Sequence, residues 1–193
     1  MWKKNILKMD KLTNYRLYDN YYYTTQLEFL TKFNIINNLS QTKLKKIVLN
    51  FSFKDILFND KKVIPFFLAL ELITGQKASV SVAKKPVIIL KINKGTLTGC
   101  KVTLHRKQLY KFLDYLLLAL PKSENFKGIF LSKIKNSNDN TFLMNLRNLF
   151  IFYQLEAELD SNIQMLQIMF IFNTKIIEEK LFLLSSYKIP ILK

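Results

Sequence analysis

Histidine and cysteine, which supply many nucleophiles and metal ligands, are nearly absent from this sequence. His105 and Cys100 are the only residues of their types in the 193-residue chain. Positions five apart in a strand point to opposite faces, so these two side chains are not expected to form a nucleophilic pair. We predict that His105 is exposed and that Cys100 fills the core. A single cysteine also excludes an internal disulfide.

Other components of catalytic and cofactor sites are missing too. The four glycines form neither a phosphate-binding loop nor the G-x-G-x-x-G pattern of dinucleotide-binding proteins. No cluster of His, Cys or carboxylate residues has metal-ligand spacing. The sequence therefore predicts a protein that is not an enzyme and that uses no metal or cofactor.

Long apolar segments are absent as well. The apolar runs, among them those at 116–121 and 168–172, are far shorter than the roughly 18 residues that predict a membrane-spanning helix. The first residues, MWKKNILKMDK, lack the apolar core of a secretory signal and the arginine- and serine-rich character of a transit peptide. If the protein works in an organelle, we expect it to be synthesised there.

Positive charge is what the chain has in abundance. Its 30 lysine and arginine residues outnumber 14 acidic residues, which gives a formal net charge of +16 and a pI of about 9.8. Such a charge favours a polyanionic partner, either nucleic acid or an anionic membrane surface. Only three of the basic residues are arginine, and Asn, Ile, Phe and Tyr are frequent. This bias is typical of AT-rich genomes, which include many organellar genomes.

Hydrophobic periodicity and breaker residues predict alternating helices and strands. The helix at 21–35 has Leu27, Leu30 and Phe33 as its apolar face and Asn20 as its cap. Pro65 and Gly75 bound a second helix, and Thr174 caps the last one. The predicted helices are 21–35, 63–75, 107–121 and 174–187, and the predicted strands are 45–53, 78–83, 86–92, 100–105, 141–153 and 163–172.

This order of elements predicts an α+β fold with a single, largely antiparallel sheet and helices packed on one face. Residues 1–20 show no clear periodicity and are expected to be an N-terminal extension. Residues 21–193 are expected to form a single domain, within the usual size range of roughly 100–200 residues. The polar stretch 122–140 is expected to be an exposed loop.

Three of the four glycines lie between residues 75 and 103, among lysine-studded apolar runs. The alternation predicts that apolar side chains there pack on the helices while lysines project toward a phosphate backbone. Gly95 and Gly99 are expected to allow tight turns and close backbone approach. The alternative is a lysine-rich face that is merely solvated; the clustering favours RNA. These lysines are Lys77, Lys84, Lys85, Lys91, Lys94 and Lys101.

Within this region the sequence resembles a known family. The motifs are GQK (75–77), AKK (83–85), K-I-x-x-G (91–95) and GCKVTL (99–104), followed by YKFLDYLL (110–117). They are similar to those of large-subunit ribosomal protein number five, the 5S-rRNA-binding protein of the central protuberance. The resemblance is strong over 45–128 and weaker over 129–193.

The resemblance implies a structural constituent of the large ribosomal subunit that binds ribosomal RNA, either 5S rRNA or large-subunit rRNA. The loop Ala83, Lys84, Lys85 and Pro86 would lie near the elbow of the P-site tRNA. The loop at 122–140 would contact a small-subunit head protein in an intersubunit bridge, among neighbouring ribosomal proteins. The residues implied in RNA binding are Lys46, Asn50, Gly75, Gln76, Lys77, Lys91, Lys94 and Lys101.

Composition and resemblance together favour the mitochondrial matrix, within a mitochondrial ribosome and encoded in the organelle, over a plastid or a bacterial cytoplasm. Two departures from the family pattern are evident. The apolar residues at 88–90 replace a small, flexible segment, and PKSENFKG (121–128) replaces an arginine-rich one. Lysine cannot reproduce the bidentate phosphate contacts of arginine.

Three other functions fit parts of the sequence. A basic protein of a membrane surface would need a helix with a basic face, whereas the basic residues of the helix at 107–121 are mainly at its start. A non-ribosomal RNA-binding protein would share the charge and the lysine cluster. An RNA-modifying enzyme is disfavoured by the missing acid, base and metal groups.

Overall fold

The computed structural model describes residues 16–35, 37, 40–52, 63–90, 92–122, 129–130, 140–155 and 165–192. Five strands form one antiparallel sheet in the order β2-β3-β1-β6-β5. A short parallel pair, β4 with β7, lies outside it. The strands are β1 Leu44–Ser52, β2 Ser79–Val82, β3 Leu97–Leu104, β4 Ile129–Phe130, β5 Thr141–Leu146, β6 Leu166–Phe172 and β7 Ile191–Leu192.

Helices account for most of the remaining described residues. The first two are joined by a π-helical turn, Tyr21–Thr25. The α-helices are α1 Arg16–Asn20, α2 Gln26–Phe33, α3 Ile64–Thr74, α4 Arg106–Ala119 and α5 Ile177–Ser186. The predicted α+β architecture is confirmed.

One face of the sheet forms the core. Along β1, buried Ile47, Leu49 and Phe51 alternate with half-buried neighbours, as expected of a strand covered on one face. The Phe51 ring meets Phe66 of α3 edge-on, with centroids 5.4 Å apart. Full burial of one such side chain contributes about 1.5–3 kcal/mol, so the alternation fixes which face carries the helices.

Two predicted helices are confirmed, both in their positions and in the residues that bound them or form their buried face. α3 begins next to Pro65, whose fixed φ suits a first turn, and ends at Gly75 in the left-handed region at φ +67°. α4 buries Leu109, Phe112, Leu113 and Leu116 on one face, as its periodicity predicts.

The first helical region differs from its prediction. Helix begins at Arg16, inside the predicted extension, and Leu17 is buried. Asn20 therefore lies within the helix and is not its cap. The π-helical turn shifts the face, so that Phe29 is buried while Leu27 is 62% exposed. The hydrogen bonds of a π-helical turn join residues five apart, and a hydrophobic pattern with the 3.6-residue period of an α-helix does not predict them.

The predicted strand at 86–92 is wrong. Residues Ile88–Leu90 form a 3-10 turn, and Val87 and Ile92 make only an isolated antiparallel bridge. The side chains of Ile88 and Ile89 are 91% and 93% exposed, so they do not pack on the helices. The apolar, β-branched composition favoured a strand, but no neighbouring strand pairs with this segment among the described residues.

Two further predictions need correction. Gly99 lies within β3 rather than in a turn. The last helix has Ile176 as its N-cap, while Thr174 Oγ1 accepts a hydrogen bond from the Ile176 amide at 3.2 Å. Of the predicted loop at 122–140, residues 123–128 and 131–139 lie outside the described residues.

Candidate nucleic-acid interface

Polar side chains form a row across the face of the sheet opposite the helices, which we term the open face. Directly opposed residues in antiparallel strands project from the same face. The register aligns one residue from each strand: Ser79, Lys101, Asn50, Gln167 and Asn145. We call these five residues the polar row. It combines one cation with hydroxyl and amide groups.

The centre of the polar row is an amide pair. Asn50 Nδ2 donates a hydrogen bond to Gln167 Oε1 at 3.3 Å. An amide offers two donor hydrogens and two acceptor lone pairs, so the pair retains capacity for further partners. Lys101 is exposed beside Asn50, and Asn145 is exposed beside Gln167. The arrangement can bind phosphate through the cation and base or sugar groups through the amides.

Lys46 lies on the same face, four residues before Asn50 on β1 and opposite Ile171 of β6. It is half-buried, whereas Lys101 is exposed. Residues four apart on one strand project from the same face about 13 Å from each other, which is roughly two phosphate spacings along a nucleic-acid strand. Because Lys101 lies directly opposite Asn50, Lys46 and Lys101 can contact different phosphates.

The turn Gly75–Lys77 leads from α3 to the edge strand β2, two residues before the polar row begins at Ser79. The Gly75 amide donates to the Glu71 carbonyl at 2.8 Å, and the Gln76 amide donates to Thr74 Oγ1 at 3.2 Å. These bonds fix the turn and leave the Lys77 side chain exposed. The turn thus adds a cation beside the edge of the open face.

The other predicted residues lie at the opposite end of β2 and β3. The loop that joins these strands contains Ala83, Lys84, Lys85, Pro86 and Lys94, and both AKK lysines are exposed. The Ala83 amide donates to the Thr96 carbonyl at 3.0 Å, and the Gly95 amide donates to the Ala83 carbonyl at 2.9 Å. Gly95 has φ +90°, which the turn requires.

The structure therefore divides the predicted RNA-binding residues into two groups. Lys46, Asn50 and Lys101 share the open face, and the Gly75–Lys77 turn adjoins it. Lys94 is separated from them and lies in the loop between β2 and β3, with Ala83, Lys84, Lys85 and Pro86. Lys91 lies outside the described residues.

Sequence reasoning missed three members of the polar row: Ser79, Gln167 and Asn145. A signal was present, because Gln167 and Asn145 interrupt apolar strands at positions that alternate with buried residues. Their proximity to Asn50 depends on strand order and register, neither of which the local pattern gives.

An apolar row runs beside the polar row on the open face. The register aligns Val48 with Met169, and Met169 with Leu143. Met169 is 36% exposed and Leu143 44% exposed. The open face can therefore contact sugars and base surfaces as well as phosphates.

The reactive side chains are poorly placed for catalysis. Cys100 is fully buried, and burial raises the pKa of its thiol to about 12. His105 is exposed, as predicted. Within the described ranges no group of three or more His, Cys, Asp or Glu residues could hold a metal ion. None of the described helices combines the length and apolar character needed to cross a membrane.

Comparison with known proteins gives consistent likenesses. The model of the C-terminus of the ribosomal L5 family matches residues 97–191, which include the part where the motif resemblance is weaker. The chain is 34% identical over 181 residues to "Large ribosomal subunit protein uL5m" of Reclinomonas americana, covering 92% of this chain and 98% of that protein. It is 32% identical over 178 residues to "Large ribosomal subunit protein uL5" of Moorella thermoacetica, covering 91% and 97%. The likenesses to these two proteins extend over nearly the whole chain.

Proposed function

Since this chain belongs to the ribosomal L5 family, we propose that it binds ribosomal RNA through the open face of its sheet, as part of the large ribosomal subunit. The protein is a structural constituent of the ribosome and not an enzyme. The observation that carries the binding surface is the polar row, which joins Lys101, Asn50 and Gln167 across three strands beside the Gly75–Lys77 turn.

The binding has an electrostatic part and a positioning part. Lys46, Lys77 and Lys101 neutralise phosphates, and counterions released from the RNA drive association. Asn50 and Gln76 form hydrogen bonds that fix the register of the protein on the RNA. The RNA is 5S rRNA where the ribosome contains one and large-subunit rRNA where it does not.

The loop between β2 and β3 makes a second contact, with tRNA. Ala83, Lys84, Lys85 and Pro86 lie near the elbow of the P-site tRNA, with Lys94 at the base of the same loop. The exposed lysines and the backbone bonds that hold the loop support this role. The segment at 122–140 contacts a small-subunit head protein, and other ribosomal proteins are neighbours.

The ribosome concerned is mitochondrial, and the protein is encoded and made in the organelle. This part of the proposal rests on the likeness to the protein named uL5m and on an amino-acid composition that is typical of AT-rich genomes. The chain acts as a single domain with an extension at its N-terminus. Since α1 begins at Arg16, the extension ends before that residue.

A sucrose gradient tests the proposal. Tagged protein is sedimented from organelle extract, and the RNA in its peak fraction is sequenced. Comigration with a large subunit and 5S rRNA is the expected result. A large subunit without 5S rRNA would assign the open face to large-subunit rRNA, and protein at the top of the gradient without RNA would refute the ribosomal role.

Matched lysine variants test the binding surface itself. Lys101→Ala on the open face should release the protein from the subunit at lower salt than wild type. Lys175→Ala removes the same charge from an exposed position outside the open face and should behave as wild type. Equal release of the two variants would show that only total charge matters.

A further inference from the structure

A cleft of about 1040 Å³ opens where β1 begins and β3 passes into α4. Its walls come from α1, the π-helical turn and the first residues of β1 and α4. None of its lining residues belongs to the polar row or to the Gly75–Lys77 turn. The cleft is therefore a surface that the proposed function does not use.

The cleft is strongly basic. Lys43, Lys45 and Arg106 line it and are exposed, and His105 lies beside them. Among the described residues that line it there is no aspartate or glutamate. Such a concentration of one charge favours an anionic ligand.

Tyrosine rings form the other wall. The rings of Tyr18 and Tyr22 lie 4.5 Å apart at 50°, and Tyr18 meets Tyr110 of α4 edge-on at 5.3 Å. Tyr22 is 45% exposed. The adjacent Tyr21 hydroxyl donates to the buried Thr42 carbonyl at 2.9 Å, which fixes the turn that carries these rings. The exposed ring of Tyr22 thus extends from an anchored turn and packs against Tyr18.

The backbone of Arg106 is strained. It adopts φ +50°, in the left-handed region that residues with a Cβ disfavour. Such strain persists only where the surrounding structure imposes it, and it is common at binding sites. Here it holds the first residue of α4 at the wall of the basic cleft.

We propose that this cleft binds an unpaired nucleotide of RNA, with its base against Tyr22 and its phosphates against Lys43, Lys45 and Arg106. The class of partner rests on the proposed function. Duplex phosphates need only cations, whereas a base can stack on an aromatic ring only when it has left the helix. Residues 1–15 carry four lysines and one aspartate, so their charge does not complement the cleft.

The test uses full-length protein and a fluorescent single-stranded RNA oligonucleotide, with the same sequence as a duplex for comparison. Tyr22→Ala should weaken binding of the single strand about 5- to 150-fold, the range for loss of one stacked base. Tyr22→Phe keeps the ring and should bind as wild type. Tyr23→Ala is the matched control, because Tyr23 is 75% exposed but does not line the cleft.

Two further measurements do not depend on Tyr22→Ala folding correctly. Arg106→Gly should reduce the magnitude of the negative slope of log affinity against log salt for the single strand by about 0.7, while Arg106→Lys preserves it. An oligonucleotide carrying 5-iodouridine, irradiated with wild-type protein, should crosslink at Tyr18 or Tyr22. Crosslinks confined to other residues would overturn the proposal.

Equal effects of Tyr22→Ala and Tyr23→Ala, or equal affinity for single strand and duplex, would also overturn it. The oligonucleotide assays contain no ribosomes, so their outcome is independent of the gradient. If the protein fails to comigrate with a subunit but Tyr22→Ala still weakens binding of the single strand selectively, the proposed function is refuted and the proposal for the cleft is supported. If the protein comigrates with a subunit but Tyr22→Ala binds the single strand as wild type does, only the proposal for the cleft is refuted.

Discussion

Two glycines constrain this fold for different physical reasons. Gly75 needs its left-handed φ of +67° to end α3, and a Cβ there would meet nothing within 4 Å. Gly99 is extended backbone in β3, but a Cβ there would lie 2.3 Å from the Phe51 carbonyl oxygen of β1. The first position restricts conformation, whereas the second restricts space between paired strands.

Gly99→Ala should therefore be the more damaging substitution. A backbone carbonyl in the centre of a sheet cannot move aside cheaply, so we expect a loss of about 2–3 kcal/mol in the free energy of unfolding. Gly75→Ala should cost only about 1–2 kcal/mol, the penalty of a left-handed residue with a Cβ. Urea denaturation of both variants checks this order, and a larger loss at Gly75 would contradict it.

The sequence predicted individual elements best where local chemistry dictates them. Pro65 and Gly75 mark α3, and the apolar spacing from Leu109 to Leu116 marks one face of α4. The failures occur where pairing or hydrogen-bond pattern decides the conformation. The segment 88–90 has a strand-like composition without a described strand partner, and the π-helical turn at Tyr21–Thr25 leaves no periodic signal.

The loop between β2 and β3 and the turn before β2 lie at opposite ends of the same strand, which allows their roles to be separated. Gln76→Ala with Lys77→Ala should loosen the protein from its RNA, because the turn adjoins the open face. Lys84→Glu with Lys85→Glu should leave subunit assembly largely intact and impair tRNA binding. A salt-wash assay combined with tRNA binding to purified ribosomes measures both. If the two double variants behaved alike in the salt wash, the division of roles would be wrong.

A cluster of buried tyrosines joins the π-helical turn to α4 and the end of α5. Burial raises the pKa of Tyr21 to about 12 and raises the pKa values of Tyr110 and Tyr187 as well. The folded state thus resists ionisation of phenols that would ionise near pH 10 when unfolded. Their stabilising effect is complete below pH 10 and is lost as the pH rises from 10 toward 12.

The free energy of unfolding should consequently fall by about 1 kcal/mol per buried phenol by pH 11. Tyr110→Phe should make this fall shallower, because one ionisable group is removed. Tyr153→Phe, at a tyrosine that is 48% exposed, serves as the control and should leave the curve unchanged. Urea midpoints between pH 8 and 11 give the measurement. Parallel curves for Tyr110→Phe and wild type would contradict the explanation.

On the scale of the whole molecule, the candidate site is a product of topology. Asn50, Lys101 and Gln167 are separated by 51 and 66 positions in the chain, and only the order β3-β1-β6 brings them into one row. Motif resemblance found Asn50 and Lys101 but not Gln167, which lies where that resemblance is weaker. Net charge predicted a polyanionic partner, but it could not indicate which surface binds.

Net charge and the polar row make different predictions about salt. If binding were a general effect of the +16 charge, every lysine substitution would reduce the salt dependence equally. If the open face binds RNA, Lys46→Ala and Lys101→Ala should each reduce the magnitude of the negative slope of log affinity against log salt by about 1. Lys175→Ala should leave the slope unchanged. Asn50→Ala should weaken binding by about 3- to 10-fold without changing the slope, because it removes a hydrogen bond and no charge. Titration of purified protein with its gradient-identified RNA at several salt concentrations distinguishes the two cases, since only a defined interface gives a slope that depends on which lysine is removed.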